Sequence, residues 1–228
     1  MSARYHVDPK RISLDSFHKN LASRELIPSR VMLKERLRER FDAIRSAGVN
    51  DLGELTTALK NKPKVETFSK KTGLDVEYLT LLRREANSYF PNPVPLGKFS
   101  GIDKDVPQRL EPLGIKNSKQ LFERAAGAKD RTALSSESGV PIDRLHELFC
   151  LSDLLRLYGV GPVFAKMLYD IGVDAAAAFI RLSPEELVSI YEDRTKKKAD
   201  FTANDIRFSL EIARELDVAL TSEETTQE

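Results

Sequence analysis

The sequence predicts an all-α protein of roughly a dozen short helices, divided between two sub-domains. Three observations carry that expectation. Sustained alternation of apolar and polar residues is missing, as is any Asn-Gly or Asp-Gly turn between β-branched runs, so strand signals are nearly absent. Glycines punctuate helical apolar patterns at recurring intervals, which is how a chain of short helices ends each of them. One stretch, Pro91-Asn92-Pro93-Val94-Pro95-Leu96-Gly97, has alternate prolines that forbid helix and marks the passage from one sub-domain to the next.

In chain order, residues 29–47 read first as one continuous helix. Leu33, Leu37, Phe41 and Ile44 form its apolar stripe at helical spacing. At roughly 100° per residue, Lys34, Arg38 and Arg45 fall on one flank and Arg36 and Arg40 on the other. Glu35, Glu39 and Asp42 face outward. The Lys34, Arg38 and Arg45 flank is either a secondary basic surface that tracks phosphates or a solvated face of mixed charge. Lys60, Lys62, Lys64, Lys70 and Lys71 add positive charge nearby in sequence.

From there the chain repeats itself. Ala47-Gly48-Val49, Leu113-Gly114-Ile115 and Ile171-Gly172-Val173 each set a glycine before a β-branched residue. A large apolar residue then follows in each: Leu55, Leu121 and Phe179. Gly73 lies 25 residues after Gly48, and Gly139 lies 25 after Gly114. Phe68 corresponds to Leu134, Val76 to Ile142 and Leu79 to Leu145; the third copy needs small gaps and puts Ile206 in the last place. Each glycine is expected to stop a helix in the left-handed conformation that a Cβ penalises. Ser183-Pro184-Glu185-Glu186 supplies a capping box, Thr202 with Asp205 a less perfect one, and Asp75 a cap for the helix carrying Tyr78, Leu79, Leu82 and Ala86. The expected organisation is an N-terminal helical domain over 1–90, a semi-rigid proline-rich linker over 91–97 and a second helical domain over 98–216. An acidic, disordered tail is expected over 217–228.

Residues 154–173, LLRLYGVGPVFAKMLYDIGV, carry the functional expectation. An apolar helix end (Leu154, Leu155, Leu157, Val160) leads to Gly159 and Gly161; Pro162 opens a second helix whose Ala165 and Leu168 pack back. This resembles the helix-hairpin-helix motif. A degenerate version runs from Gly101-Ile102-Asp103 through Leu110 to Gly114, and Glu35-Arg36 stands at the equivalent place in the first repeat, where the hairpin is expected to be lost. The wider span 125–216 resembles an uncharacterised bacterial family of tandem helix-hairpin-helix (SAM-like) domains. The residues behind that resemblance are Ser138-Gly139-Val140, Ser152 to Leu157, Gly159 to Gly161, Gly172-Val173-Asp174 and Pro184 to Leu187. Residues 42–125 look like a diverged copy.

The resemblance implies a non-catalytic contact with DNA backbone phosphates, independent of sequence, with RNA an open alternative. Glycines allow close approach, and the first amides of the second helix form an anion site with the positive end of its dipole. The residues expected to make the contact are Arg156, Gly159, Val160, Gly161 and Lys166. Asp103 and Asp105 would repel phosphate at the degenerate copy. The competing expectation is a protein-interaction scaffold or self-associating chain in which the hairpins are architectural.

Composition sets outer limits. Hydrophobic residues make up 41% and charged residues 31%, an ordinary globular balance. No apolar run approaches the ~20 residues of a membrane span, and no signal-like N-terminus is present, so a cytoplasmic protein is expected. Residues 1–92 carry 18 Lys/Arg against 12 Asp/Glu, a net +6, whereas residues 93–228 carry 18 against 23, a net −5. The single cysteine, Cys150, excludes an internal disulfide. With His146 it reads as a core thiol beside an imidazole rather than a metal pair, and His6 and His18 sit in a polar segment without a partner pattern. No P-loop, dinucleotide fingerprint, nucleophile elbow or zincin motif occurs, so neither cofactor, metal nor catalytic residue is expected.

Overall fold

The computed structural model describes residues 4–216 except 25 and 27, so the expected tail over 217–228 lies outside the described residues. These residues form thirteen α-helices, short 3-10 segments and isolated bridges, and no longer strand. The helices are α1 Leu14–Ser23, α2 Leu37–Ser46, α3 Leu52–Ala58, α4 Lys62–Thr72, α5 Val76–Asn87, α6 Asp105–Leu110 and α7 Ser118–Arg124. They continue as α8 Ala128–Ser138, α9 Ile142–Leu154, α10 Pro162–Asp170, α11 Ala176–Arg181, α12 Pro184–Thr195 and α13 Ala203–Ala213. No helix is long and apolar enough to cross a membrane. Two compact units result: Val7–Phe90, and residues 4–6 together with 91–216.

The repeat is visible in the backbone itself. Gly48, Gly114 and Gly172 take φ of +87°, +79° and +88°. The next amide in each case reaches back five residues: Val49 to the Ile44 carbonyl, Ile115 to Leu110 and Val173 to Leu168. That bond closes a Schellman turn and drives the β-branched side chain inward, where all three are buried. The following helices of the first two copies match residue for residue, since α3, α4 and α5 each begin 66 positions before α7, α8 and α9. In the third copy the left-handed residue that ends α12 is Lys196, at φ +56°, where α4 and α8 end on Gly73 and Gly139.

Within the Val7–Phe90 unit, Phe17 packs against Phe41 and Tyr89, and Leu52, Leu55, Leu79 and Leu82 are buried in the same unit. The carboxylate of Glu85 is buried with them and pairs with Arg24 and Arg30. The expected helix over 29–47 is two pieces. Pro28–Lys34 is 3-10, and Arg36 turns left-handed at φ +47° before α2 starts. This left-handed residue stands at the first repeat's Glu35-Arg36, the place where the hairpin is expected to be lost. Asp75 occupies its cap position, but its side chain makes no capping bond, whereas Ser183–Glu186 and Thr202–Asp205 both form complete capping boxes.

The proline-rich segment belongs to the second unit rather than joining two bodies. Leu96 N donates to the Lys116 carbonyl at 3.0 Å and Ser118 N to Val94 at 2.8 Å, which pairs Pro95 with Asn117. Ser13 pairs with Asp51 in the same way in the first unit. Prolines lack one amide yet keep the extended backbone that such a bridge requires. Residues 4–6, expected with the first ninety, pack on this second unit. Tyr5 is buried edge-on to Phe122, and its hydroxyl meets Ser118 Oγ at 2.6 Å. Full burial of an aromatic side chain contributes about 1.5–3 kcal/mol. It also pushes the Tyr5 phenol up to about 12.

Candidate nucleic-acid interface

Helices α9 and α10 flank a glycine turn at residues 159–161. Leu154 and Leu157 are buried at the end of α9, and Gly159 turns left-handed at φ +75°, with Gly101 matching it at φ +75° in the preceding copy. Gly159 is held from behind: Ser209 Oγ on α13 donates to the Tyr158 carbonyl at 2.5 Å, and Tyr158 meets Phe208 edge to face. Gly161 is extended and serves as the N-cap of α10, with no side-chain cap bond and open space where a Cβ would stand. Gly159 and Gly161 are exposed and Val160 is buried. Pro162 at the first helical position sacrifices an amide that the helix would leave unpaired anyway. Val163, at the exposed face of this first turn, is 76% exposed.

The two cations expected beside the hairpin do not present themselves to a phosphate. Arg156 is only 2% exposed. It pairs with Asp153, donates to the Tyr5 carbonyl at 3.0 Å and the Arg4 carbonyl at 3.1 Å, and lies over the Phe122 ring. Asp153 in turn accepts from Ala176 N at 2.7 Å. Counting back from each repeat's helix-ending glycine, Asp153 stands where the second copy has Pro95. Its carboxylate thus takes the place that the Val94 carbonyl fills for Ser118 and the Ile12 carbonyl for Leu52. Burial lifts the Asp153 carboxyl above its usual range, against the pull of the Arg156 guanidinium and the Ala176 amide. Arg156 is therefore a structural cation, a correction to the expectation that it contacts DNA. The pair was legible in part, because Asp153 and Arg156 lie three residues apart among leucines. Tyr5 and Arg4, more than 150 residues away, were not.

Lys166 has side-chain exposure of 24% and pairs with Asp170, one turn on, and with Glu147 of α9 at 3.6 Å. The hydrogen bond to Asp170 is the main cause that raises its ammonium above the ordinary lysine value. The Gly101 turn lies against it, since a Cβ on Gly101 would come within 3.0 Å of Lys166 Cε. Arg144 continues the network, meeting Glu147 at 2.9 Å and Asp103 at 3.9 Å. This ladder stitches α9, α10 and the Gly101 turn together and largely spends the Lys166 charge.

The secondary basic surface is dispersed as well. The break at Arg36 separates Lys34 from α2, so the angular reckoning across residues 29–47 does not hold. Lys34 Nζ donates to the Ala22 carbonyl at 3.0 Å, and Arg45 pairs with Asp15 and with Asp42 at 2.7 Å. Arg38 is exposed. His146 Nε2 lies 3.7 Å from Cys150 Sγ, and burial pushes that thiol up to about 12, too high for a reactive or ligating thiolate near neutrality. No cluster of metal-ligating side chains occurs among the described residues.

Comparison with known proteins adds a family of unassigned role. No curated protein and no solved structure matches the chain. Residues 100–205, just under half of the chain, match the family described as a domain of unknown function (DUF4332).

Proposed function

We propose that the protein is a cytoplasmic, non-catalytic nucleic-acid-binding protein whose second and third copies form a tandem pair of helix-hairpin-helix units. The third copy's hairpin contacts backbone phosphates, of DNA in the first instance, without reading sequence. The observation that carries this reading is Gly161, an exposed and uncapped N-cap with open space around it at the head of a nine-residue helix. The amides of the first turn of α10 and the positive end of its dipole face that space and suit a phosphate oxygen. Arg156 and Lys166 hold the hairpin in shape, and the contact itself is made by the main chain of Gly159 to Phe164.

The test is fluorescence anisotropy of labelled duplex DNA, single-stranded DNA and RNA with the wild type and Gly161→Glu, at several salt concentrations. A glutamate at φ −95° fits the backbone and its Cβ points into open space, so the fold is expected to stand while charge and bulk block the approach. Affinity is expected to fall by at least about tenfold, equal to 1.4 kcal/mol. Absence of binding at low salt, or equal binding by the variant, refutes the reading. Val163 favours one alternative, a protein partner seated on the same turn, since an apolar side chain so exposed has little to offer a phosphate. In that case Val163→Asp abolishes a protein complex and leaves oligonucleotide binding absent throughout.

A further inference from the structure

The Val7–Phe90 unit contains a groove of about 750 Å3, within the range of sites that hold ligands. Val49 and Phe68, both buried, make its apolar floor, and Lys10, Lys64 and Lys71 stand on its rim. It lies between the helix-ending turn at Gly48, the short helix α3 and the longer α4.

The second copy shows what this place accommodates. With the 66-residue offset that relates α3 and α4 to α7 and α8, Ala58 corresponds to Arg124 and Lys71 to Glu137. In the second copy Arg124 donates to both carboxylate oxygens of Glu137, at 3.0 and 2.8 Å, and spans from α7 to α8. In the first copy Ala58 is too short to span, and position 71 holds a cation instead of a carboxylate. The groove stays open, and Lys71 Nζ turns to the Ala47 carbonyl at 2.7 Å. Lys64 Nζ is 3.4 Å from the Thr57 carbonyl. The two acidic residues in the lining are engaged by amides, Asp8 by Lys10 N and Glu54 by Asn50 N. The first copy thus has ammonium groups around an apolar floor where the second has an internal ion pair.

We propose that this groove docks an acidic peptide segment of a partner protein. A carboxylate lies where the Arg124 guanidinium lies in the second copy, the space that Ala58 leaves free, and pairs with Lys71, flanked by Lys64 and Lys10. A neighbouring apolar side chain rests on Val49 and Phe68. Exposure of Gly48, Thr57 and Thr67 along the groove leaves room for a chain to pass through rather than for a small molecule to be enclosed. Exposed lysines give such docking salt sensitivity and specificity of sign more than raw affinity.

The decisive variant is Ala58→Arg with Lys71→Glu, which rebuilds the second copy's bridge and shuts the groove. Random linear peptides displayed on phage are selected against the full chain and then measured on wild type and variant. Selected peptides are expected to place Asp or Glu beside a large apolar residue and to bind the double variant at least about tenfold more weakly. Should that variant melt early, Lys64→Gln with Lys71→Gln, which removes two exposed charges and their bonds to the Thr57 and Ala47 carbonyls without filling the groove, is expected to give a similar loss. Failure to select any peptide, selection without acidic residues, or equal binding by the variants overturns the proposal. So does an oligonucleotide that loses affinity to these variants while no peptide is selected, which would assign the lysines to nucleic acid.

Discussion

Asp153 and Arg156 decide more about the second unit than their spacing suggests. Together they pair with each other, cap α11 through Ala176 and tie down the backbone of Arg4 and Tyr5. Asp153→Asn leaves a buried guanidinium without its counter-ion, for which the expected cost is about 3–5 kcal/mol. Urea unfolding followed by circular dichroism measures it, and a loss below about 1 kcal/mol would contradict the role assigned to the pair. His6 adds a pH dependence. Its ring meets the Pro91 carbonyl at 2.8 Å. Burial is the main cause that lowers the imidazole from its ordinary 6.5, with Lys119 and Arg156 adding to the shift and the Pro91 bond and Glu123 opposing it. As pH falls through 6.5 the unfolded chain takes the proton first. Stability is therefore complete above that value and declines below it until the folded form titrates too. Between pH 7.5 and 5.5 the wild type should lose more thermal stability than His6→Asn, and equal losses would remove His6 from the account.

Among the elements, the repeat gives its own controls. Lys196 holds the left-handed position that Gly73 and Gly139 hold in the other copies. A side chain there costs about 1–2 kcal/mol, offset by the extra freedom that glycine has when unfolded. Lys196→Gly should raise stability by up to about 1 kcal/mol in thermal or urea denaturation, and a decrease would show that the lysine contributes contacts of its own. The helices, their left-handed stops and two capping boxes were legible in the sequence because each is set by residues within one turn. For the cations expected beside the 159–161 turn, partners distant in sequence decided the outcome. Lys166 meets Asp170, which its own helix shows, but also Glu147 on α9 and the Gly101 turn. The single helix over 29–47 failed for a local reason, because apolar spacing survives a left-handed residue at Arg36 that no glycine or proline announces. Likewise the prolines of 91–97 rule out helix but do not reveal that Val94 and Leu96 will pair with residues beyond α6.

For the whole molecule, charge governs how binding should respond to salt. Although residues 1–92 carry a net +6, Lys34 and Arg45 are engaged within the protein, as are Arg156 and Lys166 in the acidic remainder. A contact made through main-chain amides displaces few counterions. The logarithm of affinity should therefore fall with the logarithm of salt at a slope between about −1 and −2. A slope of about −5 would mean that a broad lysine and arginine surface carries the binding. The central claim, that the hairpin's main chain meets the phosphate, is tested most directly by titrating the 15N-labelled full chain with a short DNA duplex at low salt. The account predicts that the amide resonances of Gly159, Gly161, Val163 and Phe164 move together and first, and that Gly161→Glu removes their response. It is contradicted if these resonances stay in place while others, such as those of the lysine-rich segment 60–71, shift instead.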